Sequence, residues 1–526
     1  MLRRTPIVVA LIAAAAIATH AQRGGRFNVQ DVGLTPLNVG EVMDTSRAPG
    51  SPVSRATAVV KAALRDDGRL GAAQSAVPGR VIVRFRANAT PAARGAAIRA
   101  VSQSGAIAPR PSFADFDLIR IDAGDDPEVV AVALKTQHAD VVENAQATYR
   151  WKTMFRPNDP LYATRQWNLP YLNLEPAWDI QPRAGSDITV AVIDSGMAFE
   201  SGNITTNIPG FTVGTLVYPP LNNVLIPFAA ADQLVNGSNA NRIVSPRDFI
   251  WDDDHPVDFE GHGTHVAGTI GQITNDNSGP AGVAFNVKLM PIKVIDGVWD
   301  FLLGSPNFAT DDLVARAIRY AVDRGARVLN MSIGRSGPPS FIIEDAIRYA
   351  VGRGAFVAVA AGNEYLDGNP VSVLAEICSR INGAVSVAAI DRNKQHASYS
   401  TAGSYVEIAA PGGDGSTPGF TGIDSFIIQQ TYDFHATDTF LLPPSQYRPP
   451  RFDVLGYIGY AGTSMATPHV AGAAAILMQQ GITSPAAIED ALKRTAVDLG
   501  TPGRDNFFGY GLVNVRNAMF GIGAAK

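Results

Sequence analysis

Three short segments of the sequence each place a reactive side chain where the backbone is tightly constrained. The first reads VIDSG and carries the carboxylate of Asp194 at the end of an apolar, β-branched run. The second reads GHGTHVAG and carries the imidazole of His262, and the third reads GTSMATPHVAG and carries the hydroxyl of Ser464. A carboxylate, an imidazole and a hydroxyl are the groups that nucleophilic catalysis needs when a weak nucleophile must be activated by a base.

Each reactive side chain has a simpler explanation when it is taken alone. Asp194 could cap a loop or a helix, as short carboxylates often do. A serine at the beginning of a helix, as Ser464 would be, is more often a cap than a nucleophile. The free N–H groups and the dipole of a helix N-terminus nevertheless favour negative charge, which suits a hydroxyl whose attack creates an oxyanion.

The two histidines of GHGTHVAG, His262 and His265, suggest a zinc site as an alternative. The zinc pattern of peptidases needs a glutamate between histidines at positions i and i+4 of one helix, and this segment lacks it. We therefore reject zinc and interpret His265 as structural. The same holds for His469, which lies in an alanine- and glycine-rich stretch suited to close packing.

Strands and helices alternate from about residue 155 onward, which is typical of a parallel sheet covered by helices on both faces. Apolar runs predict its strands at Asp187–Ile193, Val287–Ile295, Val328–Ile333, Ala355–Ala361 and Ala384–Ala389. Helical spacing predicts helices at Asp311–Arg324 and Ile342–Arg353, ended by Gly325 and Gly354, and another that begins at Ser484 and Pro485. The predicted fold class is α/β, a doubly wound parallel sheet, with Asp194 at the edge that faces ligands.

A smaller unit precedes this sheet. Strand-like stretches at Val81–Phe85, Phe116–Ile121 and Val141–Tyr149 alternate with helical patterns that begin at Thr90 and Pro127. That order would bury one face of a small sheet against two helices, a small α+β unit of the ferredoxin-like kind.

The three reactive segments together resemble the subtilisin-like serine peptidases, the subtilase or S8 family. The chain order Asp194, His262, Ser464 is that family's order, and the motifs around the histidine and the serine are long and specific. The resemblance covers about residues 155–520 closely and ends in GYGLVN at residues 509–514, which is similar to the family's closing segment.

The resemblance implies a serine endopeptidase that works by acyl transfer. Ser464 would attack the peptide carbonyl, His262 would accept and return the proton, and Asp194 would hold the imidazole. Asn363, after a buried apolar run, would be the oxyanion donor. The resemblance also assigns substrate binding, strand against strand, to Ser332, Ile333, Gly334 and Gly362. Catalysis would need no cofactor.

The same resemblance gives the domain organisation. Residues 78–152 would be an inhibitory propeptide domain, cut off near residues 150–156, and residues 155–522 the peptidase domain. Arg3 and Arg4, a short apolar run and small residues near Ala21 predict a signal peptide at residues 1–21, so we expect a secreted protein, extracellular or periplasmic. Residues 22–77 are predicted to be a flexible leader.

Composition and charge limit the partners. With 46% hydrophobic and 17% charged residues and a net charge of −5, the chain is typical of a folded protein that does not bind nucleic acid. Its single cysteine, Cys378, excludes an internal disulfide, and we expect it to be a small buried hydrophobe. The expected partners are protein or peptide substrates and the chain's own propeptide, with no membrane after signal removal, and a monomer.

Two segments are longer than in a minimal subtilisin, residues 197–247 and 412–460. The first lacks the HPDL run that normally supplies a calcium-binding carboxylate. Asp248 and Asp252–Asp254 form an acidic cluster that could hold a structural calcium, with solvated loop carboxylates as the equal alternative. The second could shape substrate access or form a surface flap. Glu364, beside Asn363, could favour polar or basic side chains in the first subsite.

Two other classes of function compete with the peptidase. A catalytically silent binding protein of the same fold would lack a member of the triad or the oxyanion donor, and none is missing. An esterase or lipase of the α/β-hydrolase type needs GxSxG around the serine and the order serine, acid, histidine. Both its motif and its order disagree with this sequence.

Overall fold

A computed structural model describes residues 27–28, 76–108, 114–149, 155–213, 215–236, 240–420 and 422–520 of the 526-residue chain. The predicted signal peptide and most of the predicted leader lie outside these residues. The chain divides into two compact units, residues 38–153 and residues 1–37 with 154–526.

The strands are β1 (Phe27–Asn28), β2 (Arg80–Phe85), β3 (Ala106–Ala108), β4 (Asp117–Arg120), β5 (Val142–Ala147), β6 (Thr189–Asp194), β7 (Gly202–Ile208), β8 (Phe211–Val213), β9 (Leu216–Tyr218), β10 (Leu221–Phe228), β11 (Arg247–Asp248), β12 (Lys288–Lys293), β13 (Val328–Met331), β14 (Phe356–Ala360), β15 (Ala384–Ile390), β16 (Ile408–Pro411), β17 (Ile427–Tyr432) and β18 (Leu455–Tyr460). The α-helices are α1 (Pro91–Val101), α2 (Pro127–Gln137), α3 (Pro160–Thr164), α4 (Asn168–Tyr171), α5 (Leu174–Ile180), α6 (His262–Gly271), α7 (Val298–Leu303), α8 (Asp311–Asp323), α9 (Phe341–Gly352), α10 (Val373–Cys378), α11 (Phe434–Thr437), α12 (Thr463–Gln480), α13 (Pro485–Arg494) and α14 (Val515–Phe520). No helix in the described ranges is both long and apolar enough to cross a membrane.

The small unit is an antiparallel sheet with strand order β3-β4-β2-β5 and the helices α1 and α2. Both helices begin with proline after a side-chain cap, Thr90 for α1 and Asp126 for α2, as their sequences favour. The sequence pattern missed β3, which is only three residues long and pairs with β4. With β3 included, the order is strand, helix, two strands, helix, strand, which is the ferredoxin-like order.

The large unit is built on a seven-stranded sheet with order β11-β12-β6-β13-β14-β15-β16. Every neighbouring pair in it is parallel. All residues of β14 and β15 are buried, which requires cover on both faces of the sheet. Helices α8 and α9 pack on each other and contact β6, β12 and β14, whereas α12 packs on α6 and on β13 to β16. The predicted α/β parallel sheet is confirmed.

The strand order reverses at β6, which has β12 on one side and β13 on the other although it precedes both in the chain. In open parallel sheets such a reversal opens a crevice at the carboxyl ends of the strands, where ligands bind. Asp194 is the last residue of β6. The helix ends also follow the prediction, since Gly325 and Gly354 have φ of +92° and +86°, which glycine adopts without steric cost.

Both longer segments contain regular secondary structure. The first holds the antiparallel pairs β7–β10 and β8–β9. The second holds the antiparallel pair β17–β18, whose outer edge also pairs with β1 of the leader. All six residues of β17 are buried, so the expectation of a surface flap is wrong for that strand.

Candidate active site

Asp194 and His262 come together at the carboxyl edge of the sheet. The Nδ1 atom of His262 lies 2.6 Å from Oδ1 of Asp194, which also accepts a hydrogen bond from the backbone N–H of Ser195 at 2.8 Å. Asp194 is 1% exposed, whereas the His262 side chain is 21% exposed and reaches solvent. A buried carboxylate thus fixes the orientation of a more accessible imidazole.

The charge of Asp194 changes the acidity of His262. Burial alone lowers the pKa of His262, because it penalises the imidazolium. The negative charge of Asp194 and its hydrogen bond outweigh burial, with smaller contributions from the charges of Glu260 and Asp258, and raise the pKa to about 9. The imidazole is therefore a stronger base than an isolated histidine.

Ser464 is the second residue of α12, and two hydrogen bonds join it to Ser332. The Ser464 hydroxyl donates to the Ser332 carbonyl at 3.0 Å, and the Ser332 hydroxyl donates to the Ser464 carbonyl at 2.8 Å. In a regular helix the Ser464 carbonyl would accept a hydrogen bond from the N–H of residue 468. That residue is Pro468, which has no N–H, and the Ser332 hydroxyl takes its place. In this conformation the Ser464 hydroxyl bonds to Ser332 and not to His262.

A single cleft of about 260 Å³ is lined by all eight residues that the sequence assigned to the site. They are Asp194, His262, Asn363 and Ser464 together with Ser332, Ile333, Gly334 and Gly362. These residues come from the ends of β6, β13 and β14 and from the beginnings of α6 and α12. The sheet edge therefore gathers groups that lie far apart in the chain.

The side chain of Asn363 is fixed by the residue before the serine. Its Oδ1 accepts hydrogen bonds from the N–H and the hydroxyl of Thr463, both at 2.9 Å. Because a backbone N–H can only donate, the atom facing it must be the oxygen, which leaves Nδ2 as an available donor. Neither Nδ2 of Asn363 nor the backbone N–H of Ser464 is hydrogen-bonded within the described part of the chain.

One wall of the cleft has open backbone groups. The peptide groups of Ile333 and Gly334, just beyond β13, form no hydrogen bond with other described residues. Gly362 lines the same cleft with φ of +118°, and a Cβ there would lie 2.9 Å from both Glu364 and Thr401, so this position requires glycine. The open peptide groups of Ile333 and Gly334 are therefore available to pair with an extended chain.

Comparison with known proteins identifies the family. A model of the subtilase family (Peptidase_S8) matches residues 185–511. This chain belongs to the subtilase family. It is 30% identical over 365 residues to thermitase from Thermoactinomyces vulgaris, covering 69% of this chain and 99% of thermitase. It is 28% identical over 443 residues to a thermophilic serine proteinase from Bacillus sp. strain AK1, covering 84% and 88% of the two chains.

Solved structures agree with the fold. The match to fervidolysin from Fervidobacterium pennivorans, described as a keratinolytic enzyme related to subtilisin, has a TM-score of 0.50 and 23% identity. It covers 86% of this chain and 62% of fervidolysin. The structural match supports the subtilase fold, and the family model and the match to thermitase confirm the assignment of this chain as a serine-type endopeptidase.

Three more charged residues line the cleft of this subtilase: two that the sequence did not assign to the site, and one to which it gave an influence on the first subsite. Glu260, two residues before His262, and Arg335, directly after Gly334, line the cleft together with Glu364. The signal in the sequence that could have placed these residues in the cleft is their position next to predicted site residues. Glu364 accepts a hydrogen bond from the N–H of Asn363 at 2.8 Å, and Arg335 pairs with Asp311 at 2.6 Å.

The other two histidines of the motifs are buried and have structural contacts. His265 stacks on Tyr460 at 4.4 Å, and its Nε2 lies 3.1 Å from the carbonyl of Ile427. His469 has Nδ1 2.8 Å from the carbonyl of Met465 and Nε2 2.7 Å from the amide of Asn168. Burial lowers their pKa values to about 3 and about 4, so both are neutral at pH 7.

The acidic cluster near His262 does not fit a calcium site. Asp252 and Asp254 both pair with Arg247, and Asp248 accepts hydrogen bonds from the N–H groups of Ile250 and Trp251 at 2.7 and 2.9 Å. No group of three or more histidine, cysteine, aspartate or glutamate side chains is placed to hold a metal among the residues that the structure describes. The predicted buried state of Cys378 is confirmed.

Proposed function

We propose that Ser464 is the nucleophile of this endopeptidase, with His262 as its base and Asp194 as the group that orients the imidazole. The observation that carries the proposal is the hydrogen-bonded Asp194–His262 pair in the cleft that also holds Ser464. For attack, the Ser464 side chain must rotate about χ1, so that its hydroxyl leaves the Ser332 carbonyl and donates to Nε2 of His262. The hydroxyl then attacks the peptide carbonyl while its proton passes to His262.

The oxyanion of the tetrahedral intermediate is stabilised by two donors, Nδ2 of Asn363 and the backbone N–H of Ser464. Both lie at the N-terminus of α12, where free N–H groups and the helix dipole favour negative charge. Thr463 holds the Asn363 amide in place before substrate binds. A donor fixed in advance pays no cost of reorganisation when charge develops on the oxygen.

The substrate binds as an extended strand along the peptide groups of Ser332, Ile333 and Gly334, in the cleft that Gly362 also lines. Backbone pairing of this kind gives affinity without demanding a particular side chain. His262 returns its proton to the leaving amine, water then repeats the attack on the acyl-enzyme, and Ser464 is regenerated. These steps use the chain's own residues and no cofactor.

The protein is made as a secreted zymogen, in which residues 78–152 form an inhibitory propeptide domain for the peptidase domain at 155–522. The predicted signal peptide supports secretion, to the medium or the periplasm, as a monomer. Residues 22–150 carry 16 basic and 13 acidic side chains, and residues 151–526 carry 25 basic and 35 acidic ones. Opposite net charges favour association of the two parts.

Replacement of the nucleophile tests the catalytic proposal. Ser464→Ala should abolish casein hydrolysis, and a serine-directed phosphonyl fluoride should block the wild type. Ser336→Ala, which removes another hydroxyl from the lining of the same cleft, is the matched control and should retain activity. Unchanged hydrolysis by Ser464→Ala would refute the assignment, and a correctly folded wild type without any turnover would favour a silent binding protein.

Sequencing the amino terminus of the secreted form tests the processing proposal. The wild-type product should begin near residues 150–156. The Ser464→Ala precursor should remain uncut and should be cleaved at that position when mature wild-type enzyme is added. Normal maturation of the Ser464→Ala chain in the absence of other proteases would contradict autoprocessing.

A further inference from the structure

Asp258 lies four residues before His262 and is completely buried. Its carboxylate accepts five hydrogen bonds. Oδ1 accepts from the hydroxyl of Ser195 at 3.0 Å and from the N–H groups of Glu260 and Gly261 at 3.1 and 2.8 Å. Oδ2 accepts from the N–H of Thr264 at 2.9 Å and from its hydroxyl at 2.6 Å. One side chain thus fixes the turn before α6 and the first turn of that helix.

Ser195 extends this network to the other half of the catalytic pair. Its hydroxyl donates to Asp258 and accepts the N–H of Gly263 at 2.9 Å. Its own N–H donates at 2.8 Å to Oδ1 of Asp194, the oxygen that faces His262. The strand end that carries Asp194 and the helix that carries His262 are therefore joined by contacts besides the Asp194–His262 hydrogen bond.

The backbones of the two segments also approach each other closely. Gly196 has φ of +118°, and a Cβ there would lie 2.6 Å from the carbonyl oxygen of Pro256 and 2.9 Å from the nitrogen of Asp258. The strand end at Gly196 and the turn at Asp258 are packed too closely to shift freely. The hydrogen bonds between these two segments therefore help to set their relative position. Asp258 and Ser195 supply those hydrogen bonds.

We propose that Asp258, acting through Ser195, is a positioning residue that sets the distance and orientation of His262 relative to Asp194. Asp258 does not line the cleft and does not touch the reacting atoms. It works through the geometry of the acid–imidazole pair, and misplacement of a catalytic group by about 1 Å can cost about 100-fold in rate. The proposal rests on the proposed roles of Asp194 and His262.

Asp258→Asn is the sharpest test, because the amide has the shape of the carboxylate but cannot accept hydrogen bonds on both sides. At least one of the N–H groups now bonded to Asp258 then meets an NH₂ donor. We expect kcat to fall about 10- to 100-fold with KM within twofold of wild type, since substrate contacts are unchanged. Rates are expressed per active site titrated with the phosphonyl fluoride, so that unfolded protein is not counted.

The pH profile separates positioning from general loss of stability. Burial lowers the pKa of His262, and the charges of Asp194, Glu260 and Asp258 raise it. Asp258→Asn removes one of these charges and weakens the Asp194–His262 contact, so the acid limb of the kcat/KM profile should move to lower pH. In a variant that is only less stable, the acid limb of the kcat/KM profile would stay at the same pH as in the wild type.

Asp414→Asn is the matched control. Asp414 is also buried, and its carboxylate accepts from the N–H and the hydroxyl of Ser416 and from the N–H of Ser398, away from the cleft lining. Asp414→Asn should leave kcat within twofold of wild type and the acid limb of the kcat/KM profile at the wild-type pH. If Asp414→Asn lowers kcat as much as Asp258→Asn, the effect is not one of positioning and the proposal is overturned.

Ser195→Ala keeps the proposal testable if Asp258→Asn does not fold. It removes only the Ser195 hydroxyl, which hydrogen-bonds to Asp258 and to the N–H of Gly263. We expect kcat to fall severalfold with KM unchanged. Full kcat per titrated site in Ser195→Ala would overturn the proposal, as would full kcat and an unshifted pH limb in Asp258→Asn. These outcomes differ from failure of the proposed function, in which the wild type itself shows no hydrolysis and no reaction with the phosphonyl fluoride.

Discussion

The imidazole of His262 lies 2.6 Å from the carboxylate of Asp194, although 68 positions separate the two residues in the chain. The contact joins the end of β6 to the beginning of α6 at the point where the strand order of the sheet reverses. It makes His262 more basic than a free histidine, because the carboxylate stabilises the imidazolium. Its consequences for activity can be measured.

The first prediction concerns pH. His262 acts as a base only when neutral, so kcat/KM should rise with pH through its pKa, which lies above the ordinary value of 6.5 and near 9. Asp194→Asn should move this limb to lower pH, because the stabilising charge is lost, and should lower kcat about 10⁴-fold. A limb that stays in place in Asp194→Asn would contradict the role assigned to that contact.

The second prediction concerns the oxyanion donor. Asn363→Asp keeps the oxygen that Thr463 binds but removes the donor Nδ2, and should lower kcat about 100- to 1,000-fold with little change in KM. Asn307→Ala removes an amide that bonds to the carbonyls of Phe249 and Ile250 and should leave kcat nearly unchanged. A kcat for Asn363→Asp within threefold of wild type would exclude Asn363 as a donor.

The third prediction compares two helical glycines. A Cβ on Gly263, in α6, would lie 2.2 Å from the carbonyl oxygen of Gly196 and 3.2 Å from the Cβ of Asp194. Gly263→Ala should therefore push α6 away from β6 and lower both kcat and the melting temperature. Gly352, in α9, faces open space, and Gly352→Ala should stabilise the protein by about 0.5–1 kcal/mol with normal activity. Equal effects of the two substitutions would contradict this account.

The fourth prediction concerns a buried ion pair beside the site. The ammonium of Lys293, the register partner of Asp194, lies 2.7 Å from Asp300 and 2.8 Å from the carbonyl of Val257, and its side chain is 0% exposed. Lys293→Met leaves Asp300 buried without its cation, which should cost about 3–5 kcal/mol of unfolding free energy.

This fourth measurement uses the Ser464→Ala background, where autolysis cannot interfere. Lys293→Met combined with Asp300→Leu should recover part of the loss, because no uncompensated charge remains. Arg348→Met, which breaks the exposed pair with Glu344, is the control and should change stability little. A double variant less stable than Lys293→Met alone would contradict the explanation.

Most of the framework could be predicted from the sequence, because the decisive signals are local. Apolar β-branched runs identified β6 and its neighbours, and Gly325 and Gly354 marked the ends of α8 and α9. The long motifs identified the candidate residues and the family. The three-residue strand β3 was missed, because so short a stretch has no periodicity to detect.

The contacts that fix the site could not be predicted, because they join residues far apart in the chain. Nothing local shows that Thr463 orients the Asn363 amide across 100 positions, or that Ser332 binds the carbonyl that Pro468 leaves unpaired. The sequence left a calcium site at the acidic residues near 250 as one of two equal alternatives for a similar reason. The acidic residues near 250 are close in sequence, but Arg247 pairs with two of them.

Covalent labelling tests the central claim most directly. Mature enzyme treated with a serine-directed phosphonyl fluoride should lose activity in proportion to the label incorporated. Mass spectrometry should find one label per molecule, on Ser464, and His262→Ala should slow the labelling strongly. Complete inactivation with the label on another residue, or full activity with Ser464 fully labelled, would contradict the account.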